Sequence, residues 1–333
     1  YWDDLDVRGV YLEKNEATKT VLVKDEDGNE VASQVKEWRN NIKDSYQLSK
    51  YAKLVNDGDV FELKVTELDH TSVFDLSGKI WHSLQTFEDS ILSTSENLNE
   101  KAKIQNMYVE GTNNLGFIGT FNSTEGKLFN LEFTNAKMVN TTATSETTRF
   151  ENIGVVVGNF TNGSASDISV KGIVNIGVPK ANYVGVAFGK AYGEIKNIST
   201  VASSEDVTKS KVKGLDFVGG IAGTLMLPSK TASNIDNNFN ISGRDFVGGL
   251  IGYSTGSNNP NIYFYEKVVN DGVATKVFHK NSGTVQGRNF VGGIVGYNDA
   301  VTLNLPTNEG SVEAIGYAVG GIAGYTSAHT LSA

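Results

Sequence analysis

A six-residue box, written four times, constrains this chain more than any other feature. Val218-Gly219-Gly220-Ile221-Ala222-Gly223 returns as Val247-Gly248-Gly249-Leu250-Ile251-Gly252, as Val291-Gly292-Gly293-Ile294-Val295-Gly296 and as Val319-Gly320-Gly321-Ile322-Ala323-Gly324. Looser copies stand at Val184 to Gly189, Gly154 to Gly158 and Gly116 to Gly119. That makes about seven copies, with last glycines at 119, 158, 189, 223, 252, 296 and 324. The shortest steps, 28 and 29 residues, fall in the period range of solenoids, and the longer ones read as insertions. A regular helix is excluded, because each glycine costs roughly 1 kcal/mol relative to alanine in a helix. A flexible linker fits poorly, since linkers keep no aromatic and aliphatic register.

The rest of the unit repeats as well. A short strand and turn precede the box (Val212-Lys213-Gly214, Ile241-Ser242-Gly243, Val285-Gln286-Gly287). An aromatic follows at Phe217, Phe246 and Phe290, and by analogy at Tyr183 and Tyr317. After the box come Leu128-Phe129-Asn130-Leu131, Ile195-Lys196-Asn197-Ile198, Ser233-Asn234-Ile235 and Leu303-Asn304-Leu305. Three short strands per unit, joined by Gly and Asn corners, describe one turn of a parallel β-solenoid (β-helix). Alternate side chains would point inward, with Val, Ile and Leu filling a narrow interior. Corner Gly and Asn residues are expected to supply positive φ, and the Gly-Gly pair to let backbone approach the neighbouring face.

Composition narrows the function. The chain has 333 residues and a net charge of −9, all of it in residues 1–110, which hold 13 basic and 22 acidic side chains. The remainder is neutral and carries 32 of the 36 glycines. Two compositions predict two regions: residues 1–75 as a small α+β cap or neighbouring domain, and 76–333 as the solenoid. An acidic chain is a poor partner for nucleic acid, which needs a basic face. With no cysteine there is no disulfide, thiolate metal site or cysteine nucleophile. No run approaches the roughly 20 apolar residues of a membrane span. The chain begins at Tyr1 and the repeat runs almost to Ala333, so it reads as a piece of a longer polypeptide that continues beyond it.

The pattern V-G-G-[IL]-x-G-Y, as in Val247 to Tyr253 and Val291 to Tyr297, resembles the GLUG repeat of bacterial secreted and surface proteins. Trp81, Leu84 and Phe87, then Ile104-Gln105-Asn106-Met107, then Gly116 to Gly119, are similar to the opening of that family, although its glycines are missing over 88–100. The resemblance covers about residues 76–333. It implies a β-helix of the kind found in adhesins, hemagglutinin-like proteins and the non-catalytic region of streptococcal immunoglobulin A-cleaving metallopeptidases.

In the first 75 residues, Thr20 to Val23 and Val31-Ala32 flank Asp27-Gly28, a hairpin signal. Val35, Trp38, Ile42, Tyr46, Leu48, Tyr51 and Leu54 predict one amphipathic helix within Gln34 to Val55, and Val60 to Val65 a strand.

Catalytic signals are sparse. None of His70, His82, His279 and His329 lies in H-E-x-x-H, no G-x-S-x-G is present, and each histidine reads as a surface or turn residue. Asp25 to Glu30 has its glycine two places too early for an EF-hand and reads as a hairpin tip. Neither a metal nor a cofactor is expected. Sequons stand at Asn122, Asn140, Asn159, Asn162, Asn197 and Asn240. Contact surfaces are expected in the longest steps, Thr120 to Ile153 and Ser254 to Asn289. In the second, Tyr263-Phe264-Tyr265 is an aromatic strip able to touch a glycan or protein, or to belong to an inserted hairpin with Phe264 buried. The reading is a non-catalytic, secreted or cell-surface rod: an adhesin, stalk or filament subunit. Its partners would be host or neighbouring-cell protein or glycan, or copies of itself. The alternatives are a substrate-positioning domain of a large secreted zinc protease and a polysaccharide-processing β-helix enzyme.

Overall fold

The valine that opens each glycine box lies in a short strand stacked on the strand of the box before it. Val184, Val218, Val247, Val291 and Val319 are parallel register partners in turn. With Asn113–Leu115 and Phe150–Ile153 these strands form a seven-stranded parallel sheet. A computed structural model describes residues 11–59, 61–95, 97, 99–139, 150–178, 180–228, 231–327 and 331–332. The chain is mainly β, with large parallel sheets in a β-helix-like arrangement. Among the described residues, antiparallel pairing is confined to two hairpins.

Register sets out the side chains in columns, each residue directly over its counterpart one step earlier in the chain. One inward column reads Phe74, Ile104, Phe133, Val170, Thr200, Asn237, Asn281, Asn308. A second reads Phe87, Phe121, Phe160, Ala191, Leu225, Ser254, Asn298, Thr326. Early in the chain the interior is therefore aromatic, with Phe121 and Phe160 rings 5.3 Å apart and Phe160 and Phe188 5.7 Å apart. Later it is amide. Asn237 and Asn281 are fully enclosed, and the Asn237 Nδ2 donates to Asn281 Oδ1 at 3.0 Å. Asn281 Nδ2 in turn donates to Asn308 Oδ1 at 2.9 Å. Each of the three also closes a ring with the backbone two residues on, at Phe239, Gly283 and Gly310. Full satisfaction is what makes a buried polar column tolerable.

The box glycines are not where φ is positive. Tyr183, Phe217, Phe246, Phe290 and Ala318 are, at 53° to 59°, and so are Asn114 and Asn152 in the same column. The glycines answer to space instead. A Cβ on Gly249 would lie 2.1 Å from the Gly293 carbonyl oxygen and 2.4 Å from Asn281 Cγ. The close approach predicted for the Gly-Gly pair is present; the left-handed role passes to the aromatic residue before it. The analogy drawn for Tyr317 is displaced by one, since Ala318 occupies that column.

At the front of the chain, β1 (Glu13–Lys24) and β2 (Glu30–Ile42) form the expected hairpin. Its tip is held by Asp25, whose carboxylate accepts from the amides of Asp27 and Asn29. The helix predicted within Gln34 to Val55 is shorter: residues 34–42 are strand, and α1 spans Ser45–Asn56 behind an Asp44 cap. Val35 and Trp38, three apart, would share a helix face but lie on opposite faces of the strand, and both stay exposed on the ribbon and bury nothing. The strand predicted over Val60 to Val65 begins only at Val65, in β3 (Val65–Leu68), and Val60 lies outside the described residues. β2 pairs with β3 and β3 with Ser90–Leu92, while Tyr51 of α1 packs on Phe61 and Phe87. The residues from Ile42 to Leu303 thus share one continuous core.

The span Thr120 to Ile153 is mostly paired strand rather than loop, through Ile118–Phe129 and Leu131–Val139; residues 140–149, including the sequon at Asn140, lie outside the described residues. The span Ser254 to Asn289 does carry an insertion, the exposed hairpin Tyr265–Asn270 and Val273–Phe278. Among the described residues no helix is long and apolar enough to cross a membrane.

Candidate binding surface

The left-handed residues before each box turn their rings outward, where they stack. Tyr183 and Phe217 centroids are 4.8 Å apart, Phe217 and Phe246 4.7 Å, and Phe246 and Phe290 4.8 Å, with interplanar angles of 13°, 5° and 4°. A left-handed conformation costs an L-residue roughly 1–2 kcal/mol. An aromatic pair returns about 0.5–1.5 kcal/mol beyond its buried area, so a run of stacked rings offsets the strain. Between ladders, Arg244 reaches back one step to Asp216 (Nε to Oδ1 2.9 Å), and Arg288 to Asp245 (3.0 Å). Burial acts to raise the Asp245 pKa, but Arg288, the Asn289 amide and Arg244 outweigh it and hold the carboxyl below its ordinary value.

A second outward column runs alongside: Thr120, Asn159, Lys190, Thr224, Tyr253, Tyr297, Tyr325. Its tyrosines lean on one another, at 5.5 Å for Tyr253 and Tyr297 and 4.8 Å for Tyr297 and Tyr325. Each also meets a ring of the first column one step back: Tyr253 on Phe217, Tyr297 on Phe246, Tyr325 on Phe290, at 5.9 to 6.2 Å. Partial burial raises the hydroxyl pKa of Tyr183, Tyr192, Tyr253 and Tyr297. Around Thr224, residues of the two columns, with Tyr192, Met226 and Thr255, line an open pocket of about 430 Å³.

The residues singled out from sequence fare differently. Phe264 is fully buried, its amide bonded to the Asn304 carbonyl, so it cannot serve as a contact residue. It fills the interior at the base of the inserted hairpin. Tyr263 and Tyr265 are half-exposed with rings 6.4 Å apart, and Lys276 lies over Tyr265. Gly219, Gly220, Gly223, Gly248, Gly252, Gly292, Gly293, Gly296, Gly320 and Gly324 all have backbone or an amide side chain within 2.7 Å of where a Cβ would be, whereas Gly321 faces open space. His279 departs from the surface reading: it is largely buried, with Nδ1 2.6 Å from Asp236 Oδ2. Asn197 uses its amide on Asp167 and Asn234 within a ladder. Among the described residues no group of three or more His, Asp or Glu is placed to hold a metal ion.

The outward tyrosines went unrecognised as a surface, although the signal was there. The aromatic before the box and the tyrosine after it both recur at the repeat period, beside a core already supplied by Val, Ile and Leu.

No family model matches the chain, and no curated protein matches it. Among solved structures, it is similar to a Bacteroides ovatus protein provisionally described as an immunoglobulin A1 protease. The identity is 16%, covering 85% of this chain and 70% of that one, with a TM-score of 0.41. A likeness at that level says nothing of activity.

Proposed function

We propose that the chain is a non-catalytic binding rod: a parallel β-solenoid of about seven GLUG-type repeats over 76–333, with residues 1–75 as its cap, in a secreted or cell-surface bacterial protein. The observation that carries the reading is the pair of aromatic columns on the outside of the later steps. Rings that a core does not need, repeated at fixed spacing beside solvent, favour contact with an extended partner. Pairing of β2 to β3 and β3 to Ser90–Leu92 supports the cap, because an open sheet edge invites unwanted pairing. The partner is a protein or glycan of a host or neighbouring cell, or another copy of the chain in a filament.

The test is retention of beads coated with the purified chain on epithelial layers, mucin and bacterial cells under flow. The control is the double variant Tyr253→Ser/Tyr297→Ser, matched by circular dichroism. Retention that drops to the uncoated level in the variant is expected. Equal retention by both would remove this face from the reading, and retention on no surface would remove adhesion itself.

A further inference from the structure

Asparagine is followed by glycine at one place in the chain, Asn162-Gly163. The structure puts that pair at a corner where strand pairing is interrupted. Against the step before, the register shifts on both sides of Asn162. Against the step after, pairing ends with Phe160 on Ala191 and resumes only with Ser164 on Glu194. The Gly163 amide there donates to Asn162 Oδ1 at 3.0 Å, which sets the backbone nitrogen beside the carboxamide carbon. Gly163 has a φ of 124°, which L-residues rarely adopt, and it carries no Cβ to screen the approach. It also lines an open cleft of about 470 Å³ with Lys19, Glu125 and Glu194, so solvent reaches the corner. The ladder asparagines differ. Asn106, Asn130, Asn197 and Asn234 are followed by the bulky Met107, Leu131, Ile198 and Ile235, all inside paired strands.

We propose that Asn162 is a self-modifying site, converting without an enzyme to isoaspartate and, in lesser share, to aspartate. The Gly163 nitrogen, on losing its proton to hydroxide, attacks Asn162 Cγ. The new C–N bond closes a succinimide ring, and the carboxamide nitrogen leaves as ammonia. Water then opens the ring at either carbonyl. Breaking the bond to Cγ gives aspartate; breaking the original main-chain bond gives isoaspartate. No electrons are exchanged, and water is the only co-reactant. Isoaspartate lengthens the main chain by a methylene and adds a carboxylate to a cleft already lined by Glu125 and Glu194. The corner has no slack for either. A Cβ on Gly163 would lie 2.7 Å from the Phe121 ring, and one on Gly193 2.7 Å from the Gly163 carbonyl oxygen. Conversion therefore loosens the contact between neighbouring steps at this corner.

The experiment is peptide mapping by mass spectrometry of the chain held folded at mildly alkaline pH. Isoaspartate is scored by methyl uptake from protein isoaspartyl methyltransferase. Asn162 is expected to convert ahead of every other asparagine, at a rate that rises in proportion to hydroxide. The rate in the folded chain should stay within about tenfold of that in the urea-unfolded chain, a barrier difference of about 1.4 kcal/mol. Asn162→Gln, which would have to close a larger ring, is expected to lose methyl uptake at this peptide. Aged wild-type protein should melt below fresh protein, and aged Asn162→Gln should show no such drift. Conversion confined to the unfolded chain, or another asparagine reacting first, would overturn the site. Conversion with no fall in melting temperature would overturn the loosening of the corner. Bead retention has no part in these results, so the site and the binding rod stand or fall separately.

Discussion

The early and later parts of the molecule divide their rings differently between the inside and the outside of the same backbone. Up to Phe188, the large rings face inward: Trp81 stacks on Phe117 at 5.1 Å, and Phe87, Phe121, Phe160 and Phe188 follow one another through the core. The outward columns there carry Thr120, Asn159, Asn114 and Asn152, and the Asn152 Nδ2 donates a 2.7 Å hydrogen bond to Asn114 Oδ1. From Phe217 onward the two inward columns turn polar and the outward columns take rings, while Phe239 and Phe264 stay inside. Asn237, Asn281 and Asn298 stand inside, and Phe246, Phe290, Tyr253 and Tyr297 outside. Either ladder satisfies the geometry, because a stacked ring and a stacked amide repeat at the same inter-strand spacing. The difference teaches that stacking is set by the fold, and that which face receives the aromatic rings is free to serve binding.

That division can be broken from either side. The largest loss is expected from Phe121→Ala, an inner ring with no exposure, at about 3–5 kcal/mol in urea unfolding. Asn281→Ala should follow at about 3 kcal/mol, because it strands Asn237, Asn308 and the Gly283 backbone. A result below 1 kcal/mol would show that the inner amides are dispensable. Gly249→Ala should cost about 2 kcal/mol by crowding the Gly293 carbonyl, while Gly321→Ala, which meets nothing, should stay within about 0.5 kcal/mol. Equal melting shifts for the two would refute the packing account. Phe246→Ala should cost only about 1 kcal/mol, since losing two stacks also leaves the ring's half-exposed site to water.

The smallest effect is acid-dependent and belongs to the early steps. Hydrogen bonds from Asn106 and the Ser77 amide hold Asp75 below its ordinary pKa, at the foot of an amide ladder through Asn106 to Asn135. Its contribution should be complete above about pH 4 and fade as pH falls through the lowered value. Urea midpoints of Asp75→Asn should lose that part of the acid slope; an unchanged slope would place the sensitivity elsewhere.

Much of the chain was legible because the fold repeats its own grammar. Val218 and Gly220 recur in every full box, and one residue's role then fixes its counterparts. The N-terminal ribbon has no counterpart. Val35 and Trp38 are placed by pairing with Lys19 and Glu16, which no local period reveals. The left-handed role expected of corner Gly and Asn falls to asparagine at Asn106, Asn130, Asn135, Asn197 and Asn234, whereas before the boxes stacking between steps gives it to Phe217 and Phe246. The outer groove was missed for a related reason: Lys190, Thr224 and Tyr253 become neighbours only once the register is known. Tyr263 to Tyr265 drew notice by adjacency in sequence, and alternation sent its middle residue inward.

The inserted hairpin leaves and rejoins the body at one pinch, with Glu266 accepting a further bond from Asn234 just beyond it. His279 donates its amide to the Phe264 carbonyl at 2.8 Å, while Phe264 is anchored beneath and Asp236 grips the imidazole and the Lys280 amide. Whatever lies between Tyr265 and Phe278 begins and ends at one doorway, and the steps on either side do not register its length. Closing a longer excursion at that doorway costs little, because the entropy grows only with the logarithm of length. The doorway is therefore a natural grafting point, where evolution or an engineer can exchange one displayed segment for another without rewriting the body that carries it.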